Sequence, residues 1–440
     1  MTAIDSRDAV TTSEEVSPRT RLRAVLASGV GGVVEWYDYF LYGTMAAIVF
    51  GPLFFPASDP AVGLALSLAS FALAFVVRPL GGVIFSHIGD RVGRKKTLVA
   101  TLSLMGGSTV LMGLLPTYDS VGIWAPILLT VLRLVQGLAL GGEWGGGLLL
   151  AVEYAPRKRR GLFGAVPQTG ALLGLALGAL AGSITTSVFS PETFLSVGWR
   201  IPFLLSVVLI AIGLWIRKQV GETPSFQRVR AEQTEAQVPI VETFKHHWRA
   251  VIVTIGAKLI ETASFFIFAT FTISYATNTL GYSQSSALNS VLIAAVLAVP
   301  VMLLMGHISD RIGRKKVFVL GVIAIFFYAI PFFWLVSQKS VPLLILALLI
   351  GFSIIWSSYG AVIGTLFAEN FSADVRYTGI SLGYQVGAAL IGGPAPLIAT
   401  ALLIKYDSYI AVGVFIMIVA AISLIAVSFA KDRSGVDLDS

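Results

Sequence analysis

Long apolar runs separated by short charged phrases are the dominant pattern of the chain. AVGLALSLASFALAFVV, from Ala61, and VLIAAVLAVPVMLLM, from Val291, stay mostly apolar over about the twenty residues a helix needs to cross a hydrocarbon layer. They lack the apolar–polar alternation of a membrane-barrel strand, so the pattern predicts spanning helices. Twelve are expected, near residues 22–50, 61–87, 97–116, 123–151, 161–186, 199–218, 249–278, 285–308, 317–336, 341–368, 377–403 and 407–430. The longest polar interruption, 219–248, contains ETPSFQRVRAEQTEAQVP and leaves six spans on either side. The expected division is a disordered tail over 1–21, a six-helix unit over 22–218, a linker over 219–248, a second six-helix unit over 249–430 and a tail over 431–440.

The two halves repeat a phrase. SHIGDRVGRKK from Ser86 returns as GHISDRIGRKK from Gly306, 220 residues later, with eight of eleven letters in common. Both copies fall between the second and third span of their half. A second echo follows: Glu153 with a basic cluster and Gly161 after span four, and Glu369 with Arg376 and Gly379 after span ten. Two similar six-span halves in parallel order are the layout of a two-bundle transporter. Glycines every fourth residue (Gly137, Gly141, Gly145; Gly170, Gly174, Gly178, Gly182; Gly379, Gly383, Gly387) line helix faces that can approach closely, either as static packing or as surfaces that slide.

Composition agrees: 12% charged, 56% hydrophobic and a mean hydropathy of +0.83 belong to a membrane protein rather than a soluble one. Of 31 Lys and Arg residues, 25 fall on one side if both ends share it, which places that side in the cytoplasm. The skew also accounts for the net charge of +7 without nucleic acid. No cysteine is present, so disulfides and thiolate chemistry are excluded. Four histidines form no HExxH or other metal constellation, and no GxxxxGK[ST] loop is present for ATP. The acidic first twenty residues do not read as a secretory signal. No cofactor is expected beyond protons as coupling ion, and the protein is not expected to be an enzyme.

Ionisable residues inside spans cost roughly 2.5–3.5 kcal/mol each on insertion scales, so those retained point to function. Glu35 and Asp38 in GVVEWYDYF share a helix face. Two carboxylates so close do not both ionise easily, which suits proton carriage, although each could instead be neutralised by a buried base. In RLVQGLALGGEWGGG, Arg133 and Gln136 share a face, with Glu143 and Trp144 two to three turns on. Arg133 can clamp a carboxylate of the protein or of a substrate. Glu35, Asp38, Arg133 and Glu143 are the proton-coupling candidates. Arg78 could bind substrate or snorkel to the interface. Lys258 and Glu261 could serve the site or neutralise each other. Gln168, Tyr359, Tyr384 and Gln385, with Gln136 and Trp144, complete the substrate-binding candidates.

DRVGRKK (Asp90 to Lys96), DRIGRKK (Asp310 to Lys316) and RLVQG (Arg133 to Gly137) resemble the signatures of the major facilitator superfamily. EWYDYFLYG from Glu35, RPLGG from Arg78, GGEWGGG from Gly141 and GWRIPF from Gly198 resemble its metabolite:proton symporters, which carry shikimate, 2-oxoglutarate, citrate or betaine. The resemblance, over essentially the whole chain, implies an all-α fold of twelve helices in two pseudo-symmetric six-helix bundles rocking about a central site. It also implies a cytoplasmic gate of Asp90, Arg91, Gly93, Arg94, Glu153, Asp310, Arg311, Gly313, Arg314 and Glu369. One departure is Ser86, where the motif usually opens with glycine.

The expected function is proton-coupled uptake of a small organic acid across a bacterial inner membrane, by a monomer with both termini cytoplasmic. A zwitterion carrier for betaine or proline and an exporter of the same fold are the alternatives. The ending KDRSGVDLDS carries no heptads, which weighs against an osmolyte sensor.

Overall fold

The structure, a computed structural model, describes residues 17–56, 60–232, 239–436 and 438. The long helices are α1 Pro18–Met45, α2 Pro60–Val92, α3 Arg94–Leu114, α4 Trp124–Glu153, α5 Arg160–Val188, α6 Arg200–Lys218, α7 Pro239–Phe266, α8 Gln284–Ile312 and α9 Arg314–Ser337. They are followed by α10 Val341–Ala368, α11 Arg376–Tyr406 and α12 Tyr409–Ser428. Eleven of the twelve are long and apolar enough to cross a membrane by length and composition. The exception is α1, which carries Glu35 and Asp38 in mid-helix and three arginines in its first turns.

The repeat in the sequence is a repeat in packing. Helix α1 lies along α5, α2 along α4, and α3 along α6; adding six gives α7 with α11, α8 with α10, and α9 with α12. The bundles meet along α2–α11 and α5–α8, which the same operation exchanges. Wider π-helical turns fall at matching places, Ala46–Phe50 after α1 and Ile267–Phe271 after α7.

Boundary residues follow elementary rules. Ser17 accepts from the Thr20 amide, with Pro18 opening α1. The motif loops pass from α2 to α3 and from α8 to α9 through Gly93 and Gly313, at φ 124° and 102°, where a side chain would strain the backbone. The glycine ladders are close-approach surfaces: a Cβ on Gly170 would lie 2.5 Å from the Gly32 carbonyl carbon, and one on Gly387 2.7 Å from Lys258 Cβ. A Cβ on Gly81 would collide with the Leu138 carbonyl. Because backbone cannot swing aside, Gly81→Val is expected to lower stability by about 1–3 kcal/mol or prevent folding, read as a lower thermal midpoint in detergent.

The expected tail over 1–21 is helical from Pro18, and its remainder up to residue 16 lies outside the described residues. The linker is more ordered than its polarity suggests. Pro224–Ala231 is a helix that buries Phe226 and Val229, and α7 begins at Pro239, ten residues early, with a non-helical step at His247.

Candidate functional site

Between the bundles, halfway along the helices, lies a chamber of about 20 Å³ lined by residues that include Trp36, Arg78, Lys258, Glu261, Trp356 and Tyr384. That is room for about one water. Arg78 reaches it from α2 with its carbon framework against aromatic faces, its guanidinium 4.8 Å from the Phe75 ring centre and 5.3 Å from that of Tyr39. Its Nε and one Nη are buried without a hydrogen-bond partner among the described residues, as is Oε2 of Glu35. Opposite, Lys258 pairs with Glu261, and its ammonium lies 3.7 Å from the centre of the Tyr384 ring.

Aromatic pairs close the chamber on both sides. Toward the face where α1 begins and α12 ends, the terminal face, Tyr384 stacks on Trp144 of the other bundle, ring centres 3.4 Å apart. Trp144 Nε1 donates to Gln168 Oε1 at 2.8 Å, and Gln168 Nε2 donates across the seam to the Gly360 carbonyl at 3.0 Å. Gln385 Nε2 likewise donates to the Gly141 carbonyl at 3.0 Å. Toward the other face, Trp36 meets Phe265 at 5.5 Å and Phe75 meets Phe266 at 6.0 Å.

Glu35 and Asp38 do not share one site. An i, i+3 step still rotates a side chain by about 60°, enough to bring Glu35 within electrostatic reach of Arg78 and Lys258, behind the chamber lining, and to send Asp38 into the first bundle. There Thr109 donates to Asp38 Oδ2 at 2.6 Å and Ser206 to Oδ1 at 3.4 Å. Gln136 donates to Thr109 at 2.7 Å and accepts from Arg133 at 2.5 Å. Arg133 thus reaches Asp38 through two side chains rather than by a carboxylate clamp, and its guanidinium lies 4.0 Å from the Tyr42 ring centre. Glu143 likewise finds its partners away from the chamber. It pairs with Arg217 from the end of α6 and accepts from Thr101 at 2.7 Å. Tyr359 bonds Ser264 at 2.7 Å inside the second bundle and does not line the chamber.

The terminal face is interlocked. Asp90, at the end of α2, accepts from the Thr378 amide and hydroxyl, both at 2.9 Å, at the start of α11. Asp310, at the end of α8, accepts from the Gly161 and Leu162 amides at 2.8 and 3.0 Å, at the start of α5. Each half therefore seats its aspartate on a helix N-terminus of the other, where free amides and the helix dipole favour an anion. Glu153 pairs with Arg94 of its own bundle and, at 3.0 Å, with Arg376 of the other. Arg314 binds Asp310 at 2.8 Å and Glu369 at 3.4 Å. Arg91 and Arg311 depart from the expected gate: both are exposed and make no ion pair among the described residues. Their position one step past the aspartate points them outward, and Arg94 and Arg314, one turn later, take the inward place.

Glu369, one residue beyond α10, is pushed up to about 7 by burial, against the opposing pull of Arg314 and Arg160, with Asp432 and Asp310 adding to the rise. The closed face therefore holds this proton more tightly than water would. That contribution is complete below about pH 4.5, the ordinary carboxyl value, and is lost as pH rises through about 7. Labelling of a cysteine introduced at the buried Thr365, divided at each pH by the rate for the same variant in denaturant to remove the thiol's own ionisation, is expected to quicken from pH 5 to 8, and Glu369→Gln to flatten that ratio.

Sequence reasoning did not single out Arg217, nor Glu222, which accepts from the Arg94 and Lys95 amides at 2.9 and 3.1 Å. It also missed Thr109 and Ser206, since hydroxyls in apolar spans carry no distinguishing pattern.

A profile described as Major Facilitator Superfamily matches residues 29–393. The chain is 37% identical to the shikimate transporter of Escherichia coli K12, over 93% of this chain and 94% of that one. It is 32% identical to the proline/betaine transporter of the same organism, over 92% and 82%. Among solved structures, the proton:xylose symporter XylE bound to 6-bromo-6-deoxy-D-glucose superposes with a TM-score of 0.74, at 17% identity and 96% and 98% coverage.

Proposed function

From the premise that the chain belongs to the Major Facilitator Superfamily, a family of transporters and not of enzymes, we propose that it takes up a small organic acid with a proton by alternating access. The membrane would be the bacterial inner membrane, with the terminal face cytoplasmic, as the clustering of lysine and arginine there supports. One observation carries the substrate class: Arg78 presents two unpartnered buried N–H groups to a chamber between the bundles, a fork that suits a carboxylate. Lys258 on the opposite wall supplies a second cation, at present held by Glu261. Glu35, whose free oxygen is buried and which interacts with the charges of Arg78 and Lys258, is the proposed proton carrier, since a proton there would offset the charge of an arriving anion. Asp38, linked to Arg133 through Thr109 and Gln136, is proposed as a second protonation site, sealed from the chamber.

A zwitterion reading has one feature in its favour. The rings of Trp36, Phe265 and Trp356 with the Glu35 carboxylate could hold a quaternary ammonium. Proteoliposomes separate the readings by counterflow with labelled shikimate, citrate, proline and betaine. Exchange of an acid alone supports the proposal, and exchange of betaine or proline alone replaces it. In the same vesicles Glu35→Gln is expected to keep counterflow yet lose proton-driven accumulation; one proton carried with a monoanion moves no net charge, so the drive is the pH gradient, worth about 1.4 kcal/mol or tenfold per unit. Undiminished uphill uptake would remove Glu35 from the coupling role.

A further inference from the structure

The chain beyond α12 turns back across the terminal face and is held by both bundles. Lys315 donates to the Ser428 and Ala430 carbonyls, both at 2.8 Å. Ser434 then accepts from the Arg314 amide at 3.1 Å, and Asp432 lies against Gly313. In the first half Glu222 does the same for Gly93 and the Arg94 amide, so the segments after α6 and α12 seat the two motif loops alike. The second segment goes further. The Val436 carbonyl accepts from Arg160 of the first bundle at 2.6 Å, and the Leu438 carbonyl accepts from Arg376 of the second at 2.5 Å. Leu438 is only 8% exposed, whereas Val436 is 45% exposed.

We propose that residues 432–436 together with Leu438 form a clasp that straddles the bundle seam and must be released before the terminal face can open. Arg376 is also the partner of Glu153 across the seam, and Arg160 opens α5, whose amides hold Asp310. One peptide segment thus binds both sides of the interlock, and separating the bundles breaks at least one of its two arginine bonds or lifts Leu438 into water. Anything that occupies or displaces the segment would then regulate the carrier without touching its substrate site. The proposal rests on the two-bundle motion and is independent of the substrate class.

The chain has no cysteine, so spin labels can be placed uniquely at Lys96→Cys and Lys316→Cys, exposed positions in the two repeats of the motif. Pulsed-dipolar distances would be measured on the full chain in lipid nanodiscs. Truncation after Arg433 and, separately, Leu438→Asp are each expected to raise the long-distance population about threefold or more, while Val241→Asp, at an exposed position near the start of α7 and outside the segment, leaves it unchanged. An unchanged distribution in both the truncation and Leu438→Asp overturns the clasp. An equal rise in Val241→Asp also overturns it, because added charge would then be the cause. Leu438→Ala, gentler on folding, is expected to shift the population in the same direction by less.

Discussion

Arg78→Gln is expected to lower saturable uptake by about 100-fold or more. Two charge-assisted hydrogen bonds to a carboxylate are worth about 1.5–3 kcal/mol each, and every 1.4 kcal/mol is about tenfold. Arg78→Lys should recover little, because a single ammonium cannot reproduce the fork or its flat contact with Phe75 and Tyr39. The measurement is initial uptake of whichever labelled acid passes counterflow, below its half-saturating concentration. Uptake by Arg78→Gln within threefold of the parent would show that the substrate anion is bound elsewhere, Lys258 being the next candidate.

The second large effect is expected at Glu153. Its carboxylate faces two buried arginines, Arg94 and Arg376, one from each bundle. Removing one partner of a buried pair costs about 3–5 kcal/mol, because the charges left behind are uncompensated. About 5.5 kcal/mol turns a 1:99 equilibrium into 99:1, so Glu153→Gln should carry the terminal face from mostly closed to substantially open. Distances between Lys96→Cys and Lys316→Cys would lengthen, and uptake would fall at least about tenfold, since a carrier that cannot close cannot reset. Unchanged distances would show that the other contacts across the seam hold the face shut without this pair. Lys158→Ala, an exposed loop cation, should change neither quantity.

The fold was legible because membrane helices announce themselves by length and apolarity, and because a repeated charged phrase marks the duplication. Gate residues were partly legible for the same reason: Asp90, Asp310, Arg94 and Arg314 sit at fixed places in the phrase, and their partners are the helix starts that a repeat places opposite. Arg91 and Arg311 share the phrase but not the burial, a distinction of about one helical turn that sequence spacing alone does not carry. In the membrane interior, charge marked Glu35, Arg78 and Lys258 as costly, yet it could not say which acid meets which base. Asp38 settled on hydroxyls, and Glu143 settled on Arg217, an arginine whose position at a span end made it look like a topology signal. Those pairings are set by helix rotation within the bundle, which is decided by packing of whole faces rather than by any local pattern.

A chamber with room for about one water cannot seat an organic acid as it stands. Any solute lodged against Arg78 would have to part the Trp144–Tyr384 stack on one side or the Trp36–Phe265 and Phe75–Phe266 pairs on the other. Part of its binding energy would therefore go into loosening a door, which ties occupancy to motion.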